Sequence, residues 1–260
     1  MSSPIFDTDT AARPADSARA FFQAQQQAFG ATLTRTIALG ESVPALLTQA
    51  FDSFDGNVAL QTEGEAPLAC QRGCASCCQL RVAATAPEVL LVARFLRTLT
   101  PHLEKRGIDL IGQLREADRQ TRGLAEPARA ALRLGCPFIA RGVCVIYKVR
   151  PLACRGHASH DARACHDAVA GRRSAPVPVS QGHLMVRALI QNALQSALRD
   201  ARLPWGLYEF NHALLLALDN DDSETAWLTG QDVLAPAALD DIGTDEMARV
   251  FDALKAPLAH

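Results

Sequence analysis

Eight cysteines, all lying between Cys70 and Cys165, are the residues of this chain whose type and spacing could do chemistry. Four come together as Cys70-Gln-Arg-Gly-Cys74-Ala-Ser-Cys77-Cys78. Four follow in a second block: Cys136, Cys144, Cys154 and Cys165. Thiolates are soft ligands suited to zinc or iron, and short loops carrying two or three of them build such sites. The two-residue spacer between Cys74 and Cys77 lets both sulfurs turn to one ion, and Gly73 eases the tight backbone. Cys77 and Cys78 are adjacent and start in different directions. They suit two neighbouring ions, or one ion and the core, with ligation of a single cluster by both as the alternative. A tetrahedral zinc or a four-iron, four-sulfur cluster needs four soft ligands, so eight allow one site with spares or two sites. Cys74, Cys77, Cys144 and Cys154 are the first choice of ligands. Cys70, Cys78, Cys136 and Cys165 would complete a second site or support the first.

The residues between these ligands have expected tasks. Arg150 and Arg155 flank Cys154, and a guanidinium donating to thiolate sulfur would offset the negative charge of such a centre. Arg155 is the stronger choice for this role. Pro151 keeps Arg150 out of helix and shapes the approach to Cys154. Ile146 and Tyr147 are expected to cover the site. His157, His160 and His166 are candidates for mixed ligation, His157 first because it follows Cys154 by three residues; each is otherwise a loop histidine. Asp161 and Asp167 read as helix-start charges rather than catalytic acids. The spacing Cys70-x3-Cys74-x2-Cys77 also fits the radical S-adenosylmethionine enzymes, but the next sixty residues read as consecutive helices rather than alternating strands and helices. The chain carries no serine elbow, no histidine pair spaced for a metalloprotease, no phosphate loop and no glycine-rich dinucleotide turn.

The order of the blocks is more specific. Cys70-x3-Cys74-x2-Cys77-Cys78, then Cys136-Pro-Phe-Ile, Gly142-Val-Cys144-Val-Ile-Tyr147 and Arg150-Pro-Leu-Ala-Cys154-Arg155-Gly resembles the YkgJ family, whose domain of the CxxCxxCC type is described as zinc- or iron-chelating. The resemblance runs from about Cys70 to Cys165 and implies a metal ion held by these cysteines. The first spacer here has three residues where the domain name has two, which makes Cys70 the least regular member.

The elements that must position these residues read as helices. The hydrophobic fraction is 48% and the aromatic fraction only 5%, so the core must be mostly Leu, Ala and Val, a mixture that favours helix. Apolar residues recur at three and four from Pro14 to Leu39, with Gly40 as the stop. Further helices are expected at Val43–Phe54, from Thr85 to Pro101 with a Thr85-Ala-Pro-Glu88 capping box, at Asp109–Arg122 and at Glu126–Leu134. Others are expected at Asp161–Val169 capped by Ser159, Gly182–Leu198, Trp205–Leu218, Ser223–Leu228 and Asp245–Leu254. Residues Asp55–Pro67 read as a linker, Pro176–Val179 as extended chain, and Cys144–Tyr147 as the only strand. The expected organisation is a disordered tail (1–13), N-terminal helices (14–66), a cysteine-cluster metal-binding domain (67–170) and C-terminal helices packed on the same body (171–260). The fold class is mainly α, a helical bundle with a cysteine-rich region of irregular loops.

Net charge is −2, which exerts no overall pull on nucleic acid or anionic membrane, and neither is expected as a partner. The N-terminus has no basic start and apolar run, and no apolar stretch reaches membrane-spanning length, so a cytoplasmic location is expected, where cysteines stay reduced. Seven basic residues lie between Arg141 and Arg173 against two acids, and eleven acids lie between Glu209 and Asp252 against Arg249. That asymmetry implies internal pairing, solvated faces or an anionic ligand near the metal. The function expected is binding of zinc or iron, with an iron–sulfur cluster among the forms. The alternatives are an iron–sulfur-dependent redox or group-transfer enzyme and a metal-stiffened module contacting a protein partner.

Overall fold

Apolar residues at helical spacing after Pro14 fold as helix α1 (Pro14–Thr36), in a computed structural model that describes residues 14–71, 73–172, 176–240 and 243–256. The tail assigned to residues 1–13 lies outside the described residues. A 3-10 turn follows α1 and ends on Gly40, whose φ of 67° disfavours a side chain. Helix α2 (Ser42–Gln61) runs seven residues past the expected end at Phe54, so half of the expected linker is helix. Asp55 to Gln61 contains only one strong breaker, Gly56, and packing of the preceding turns outweighs its cost of about 1 kcal/mol.

Strand β1 (Ala83–Thr85) leads into α3 (Ala86–Glu104) through the expected capping box: the Glu88 carboxylate accepts from the Thr85 N–H at 2.7 Å and from its hydroxyl at 2.8 Å. Pro101 does not end α3. It lies in the last turn, where it deletes one backbone bond, and burial of Leu103 draws the remaining residues onto the core. Then come α4 (Leu110–Thr121), capped by Asp109, and α5 (Glu126–Leu132). A two-residue hairpin follows, β2 (Ile139–Ala140) with β3 (Val143–Cys144). Short helices α6 (Leu152–Arg155) and α7 (Ala162–Val169) complete the cysteine region. Asp161, not Ser159, caps α7, accepting from the Ala164 N–H; the Ser159 hydroxyl instead bonds the Asp161 N–H and the Pro178 carbonyl.

Helix α8 (Gln181–Asp200) runs through the centre. The expected helix from Trp205 starts later, as α9 (Phe210–Leu218), because Leu207–Glu209 forms β4, paired antiparallel with β1 at Ala84↔Tyr208. The chain ends with α10 (Ser223–Leu228) and α11 (Thr244–Lys255). Ser223 is the first residue of α10 rather than its cap, and its hydroxyl donates to the carbonyls of Ala217 and Asn220. The molecule is mainly α, 64% helical, and its described residues form four strands of two or three residues where one had been expected.

The core sits between α1, α2 and α8, with α3 packed on α2 and α9, and α4 on α9. Phe22, Phe29, Leu46, Leu47, Leu96, Ile190, Leu194 and Leu214 are wholly buried there. No helix of the described residues is long and apolar enough to cross a membrane.

Candidate metal centre

Two stretches of little regular structure, 69–82 and 133–172, come together beside this bundle. The first carries Cys77 and Cys78 in a 3-10 turn, Ser76–Gln79, preceded by Gly73 at φ 90°. A Cβ on Gly73 would stand 3.8 Å from the Gly142 carbonyl, which brings the first cysteine loop against the tip of the β2–β3 hairpin. That tip, Arg141-Gly142, has positive φ at both residues, the geometry that closes a two-residue hairpin. The hairpin carries Cys144, and Cys136 lies one turn before it. Pro151 leads into α6, which carries Cys154. Helix α7 carries Cys165 and packs on the 3-10 turn of Cys77 and Cys78.

Seven of the eight cysteines line one cavity of about 1060 Å³: Cys70, Cys74, Cys77, Cys78, Cys136, Cys144 and Cys154. All eight are free; Cys70 and Cys74 are exposed and the other six half-buried. Backbone groups act on several of these sulfurs. The Ser159 N–H donates to Cys70 Sγ at 3.3 Å. The backbone at Phe138 and at Ile146, in each case two residues further along the chain, acts to lower the thiol pKa of Cys136 and of Cys144. Such interactions favour the thiolate over the thiol.

Burial acts the other way. It pushes the thiols of Cys70, Cys144 and Cys154 up, and that of Cys136 to about 11. A hydrogen bond with Cys78 and then burial push Cys77 up as well. The thiols also act on one another, Cys77 on both sets. Cys154 feels Cys136, Cys144 and Cys77, whereas Cys70 feels Cys74, Cys77 and Cys165. The cation that eases ionisation of Cys77, Cys144 and Cys154 is Arg150, whose guanidinium lies 4.1 Å over the Tyr147 ring. Arg155, the arginine preferred from sequence, is engaged elsewhere. It donates to the carbonyls of Arg150 at 3.2 Å and Lys148 at 2.7 Å, pairs with Asp55 at 3.7 Å and stacks 3.8 Å over Phe51. Ile146 is buried, but Tyr147 is 59% exposed and covers little.

One carboxylate outside the cysteine blocks positions them. Glu88 is wholly buried, and while its Oε2 serves Thr85, its Oε1 accepts the Leu152 N–H at 2.6 Å. The start of α3 is thereby fastened to the first residue of the helix that carries Cys154. Nothing in the sequence near Glu88 points across those sixty-four residues.

Among the histidines, His157 lines the cavity, and burial and then the nearby Arg187 push its pKa below the ordinary value. His160 faces Glu65 at 3.4 Å, and His166 bonds Arg172 at 3.0 Å. His183, not singled out from sequence, also lines the cavity. Its Nδ1 lies 2.9 Å from the Ser180 hydroxyl, which donates to Glu65 at 2.8 Å. The signal available was Ser180 as an N-cap three residues before a histidine.

Among the described residues, no three Cys, His, Asp or Glu side chains converge closely enough to hold one ion. The fit is in the donors. Clustered thiols with a backbone N–H bond to the Cys70 sulfur and a guanidinium beside them make a soft, anion-tolerant donor set suited to zinc or iron. A bound cation would supply the charge that lets buried thiols ionise together.

A mainly helical protein with a thiol-lined cavity is the class these observations define. Residues 69–170 match the family described as "CxxCxxCC: Putative zinc- or iron-chelating domain", and over that stretch the chain is similar to it. The match supports metal binding in general. No curated protein and no solved structure matches the chain.

Proposed function

We propose that the protein binds zinc or iron, the latter alone or as an iron–sulfur cluster, through an inner group of Cys77, Cys136, Cys144 and Cys154. Cys70, Cys74, Cys78 and Cys165 form an outer group that supports the first site or holds a second ion. The observation that carries this reading is that Cys77, Cys136, Cys144 and Cys154 line one cavity, with Cys136 and Cys144 on either side of one hairpin turn. It shifts weight from Cys74, an exposed thiol, to Cys136. Arg150 lowers the cost of gathering the inner thiolates. On this reading residues 67–170 carry the centre, the helices of 14–66 and 171–260 are its scaffold, and the compartment is cytoplasmic, where eight free thiols persist. The order of the cysteine blocks groups the chain with YkgJ-type proteins.

A second reading, an iron–sulfur enzyme of redox or group-transfer type, is favoured by the size of the cavity beside the thiols. A metal-stiffened module for a protein partner needs no such space.

Elemental analysis of protein purified without oxygen tests the leading reading. We expect zinc or iron in the wild type, a sharp loss in Cys136→Ser and Cys77→Ser, and a smaller loss in Cys74→Ser. Wild-type protein without either metal would overturn the function. Full metal in Cys136→Ser would overturn the inner group. A brown colour selects the iron–sulfur form.

A further inference from the structure

The cavity wall carries Arg81, Arg129, Arg150, Arg155, Arg187 and Lys148 and, among the described residues, no aspartate or glutamate. Most of these cations are accounted for. Arg81 pairs with Glu126 at 2.9 Å and Arg129 with Glu209 at 3.1 Å. Arg155 is held by carbonyls and Asp55, and Arg150 stands beside the thiols.

Arg187 has neither an ion pair nor a hydrogen bond among the described residues, and its Nε, like those of Arg129 and Arg150, is shielded from solvent without an acceptor. The acid whose charge it feels is Glu88, and both oxygens of Glu88 are already engaged by Thr85 and Leu152. A buried donor without an acceptor costs on the order of 1–3 kcal/mol, more when charged, so its natural complement is an acceptor brought from outside.

The side chain is also held in place. A Cβ on Gly156 would fall 2.5 Å from both Cβ and Cδ of Arg187, so the arginine stem crosses the chain where only glycine leaves room. His183 lies one turn earlier on the same face of α8, its ring fixed by Ser180, and His157 lies within the field of Arg187. Phe95, Phe138 and Phe210 give the cavity apolar wall, and its volume suits a small organic molecule.

We propose that Arg187, flanked by His157 and His183, anchors an oxyanion-binding subsite that takes the carboxylate or phosphate of a small molecule. A guanidinium fork matches either group with two parallel hydrogen bonds, and a pinned stem reduces the ordering cost of binding. The subsite shares the cavity with the proposed metal centre but does not depend on it.

Calorimetric titration with inorganic phosphate and, separately, with succinate tests the proposal on the full chain. Metal content is measured in the same samples, so failure of the metal reading and failure of the subsite are separate results. We expect saturable binding of at least one anion, and the one that binds names the head group. Arg187→Gln should weaken it at least tenfold with metal content unchanged. Arg187→Lys, which keeps charge and most of the stem but loses the fork, should weaken it several-fold and decides the matter if the glutamine variant does not fold. Arg163→Gln, at a side chain 93% exposed, should change nothing. The subsite is overturned if neither anion saturates, if both Arg187 variants bind as the wild type does, or if Arg163→Gln weakens binding equally.

Discussion

The helical bundle and the cysteine segments are held by different physics. Helices α1, α2 and α8 each run for twenty residues or more and bury apolar faces against one another. In the cysteine segments no element exceeds eight residues. The described residues of 70–82 bury no apolar side chain fully, and those of 133–172 bury only Phe138, Ile146, Pro151, Leu152, Ala158 and Ala164. Isolated helices and hairpins of such length are not stable in water. The bundle therefore supplies its own folding energy, while the thiol region borrows its order from Glu88, from the hairpin and, on the proposed function, from a metal.

The largest expected effect breaks that comparison at its weaker side. Removing metal under reducing conditions should open residues 70–82 and 133–165 while α1, α2 and α8 stay folded. Thiolate zinc sites in small domains contribute roughly 10–16 kcal/mol, and that energy is folding energy. Hydrogen exchange read by mass spectrometry should rise a hundredfold or more in the two segments and little in the bundle. Unchanged exchange after complete metal removal would mean that the segments are self-supporting.

Next is the bundle itself. Leu194→Ala removes a wholly buried side chain from α8 and should cost about 3 kcal/mol, which lowers Tm by roughly 6–12 °C. Metal content per folded molecule should not change. If the variant loses metal in proportion to stability, the two regions are one cooperative unit.

Glu88 sharpens the comparison because it belongs to both regions. Glu88→Gln keeps the shape but turns an amide donor toward a backbone donor, either that of Thr85 or that of Leu152. We expect a loss of about 1–3 kcal/mol together with weaker metal binding, which Leu194→Ala should not show. There is also a pH signature. Burial pushes the Glu88 carboxyl above its ordinary 4.5 against the pull of its donors at Thr85, Leu152 and Gln191. The folded state thus holds this proton more tightly than the unfolded chain. The contribution is fully present below pH 4.5 and is lost as pH rises through the folded value. Thermal melts of the glutamine variant should lack that part of the pH dependence.

These residues also mark how far the sequence could be read. The periodicity after Pro14, the stop at Gly40 and the Thr85–Glu88 box are local signals, and each appears at its predicted place. Misplaced boundaries came from tertiary pairing. Ala83–Thr85 recruits Leu207–Glu209 as a strand and delays α9, and buried Leu103 carries α3 past Pro101. At the site, residue types were legible because thiol clusters are rare, whereas their grouping was not. Cys136 joins Cys144 through a hairpin turn, and Arg187 meets Gly156 through packing, neither of which spacing encodes. Arg155 looked like the sulfur donor because it is adjacent to Cys154 in sequence, but α6 turns it toward Phe51 and Asp55.

The smallest effect separates the two arginines that flank Cys154. Arg150 provides positive charge to Cys77, Cys144 and Cys154, so Arg150→Met should raise the proton affinity of those thiols. Protons then compete better with metal. On acidification the variant should release its metal at a higher pH than the wild type, with affinity at neutral pH about tenfold lower, or roughly 1.4 kcal/mol. Arg155→Met removes two bonds to carbonyls and a guanidinium stacked on Phe51, which ties the 147–155 segment to α2. It should lower Tm slightly, by an amount corresponding to about 1 kcal/mol, and leave the metal-release pH where it was. Metal release monitored against pH for both variants gives the answer. If Arg155→Met shifts the release and Arg150→Met does not, the sulfur partner is the arginine that sequence adjacency suggested, and the field around the inner thiols has been assigned to the wrong side chain.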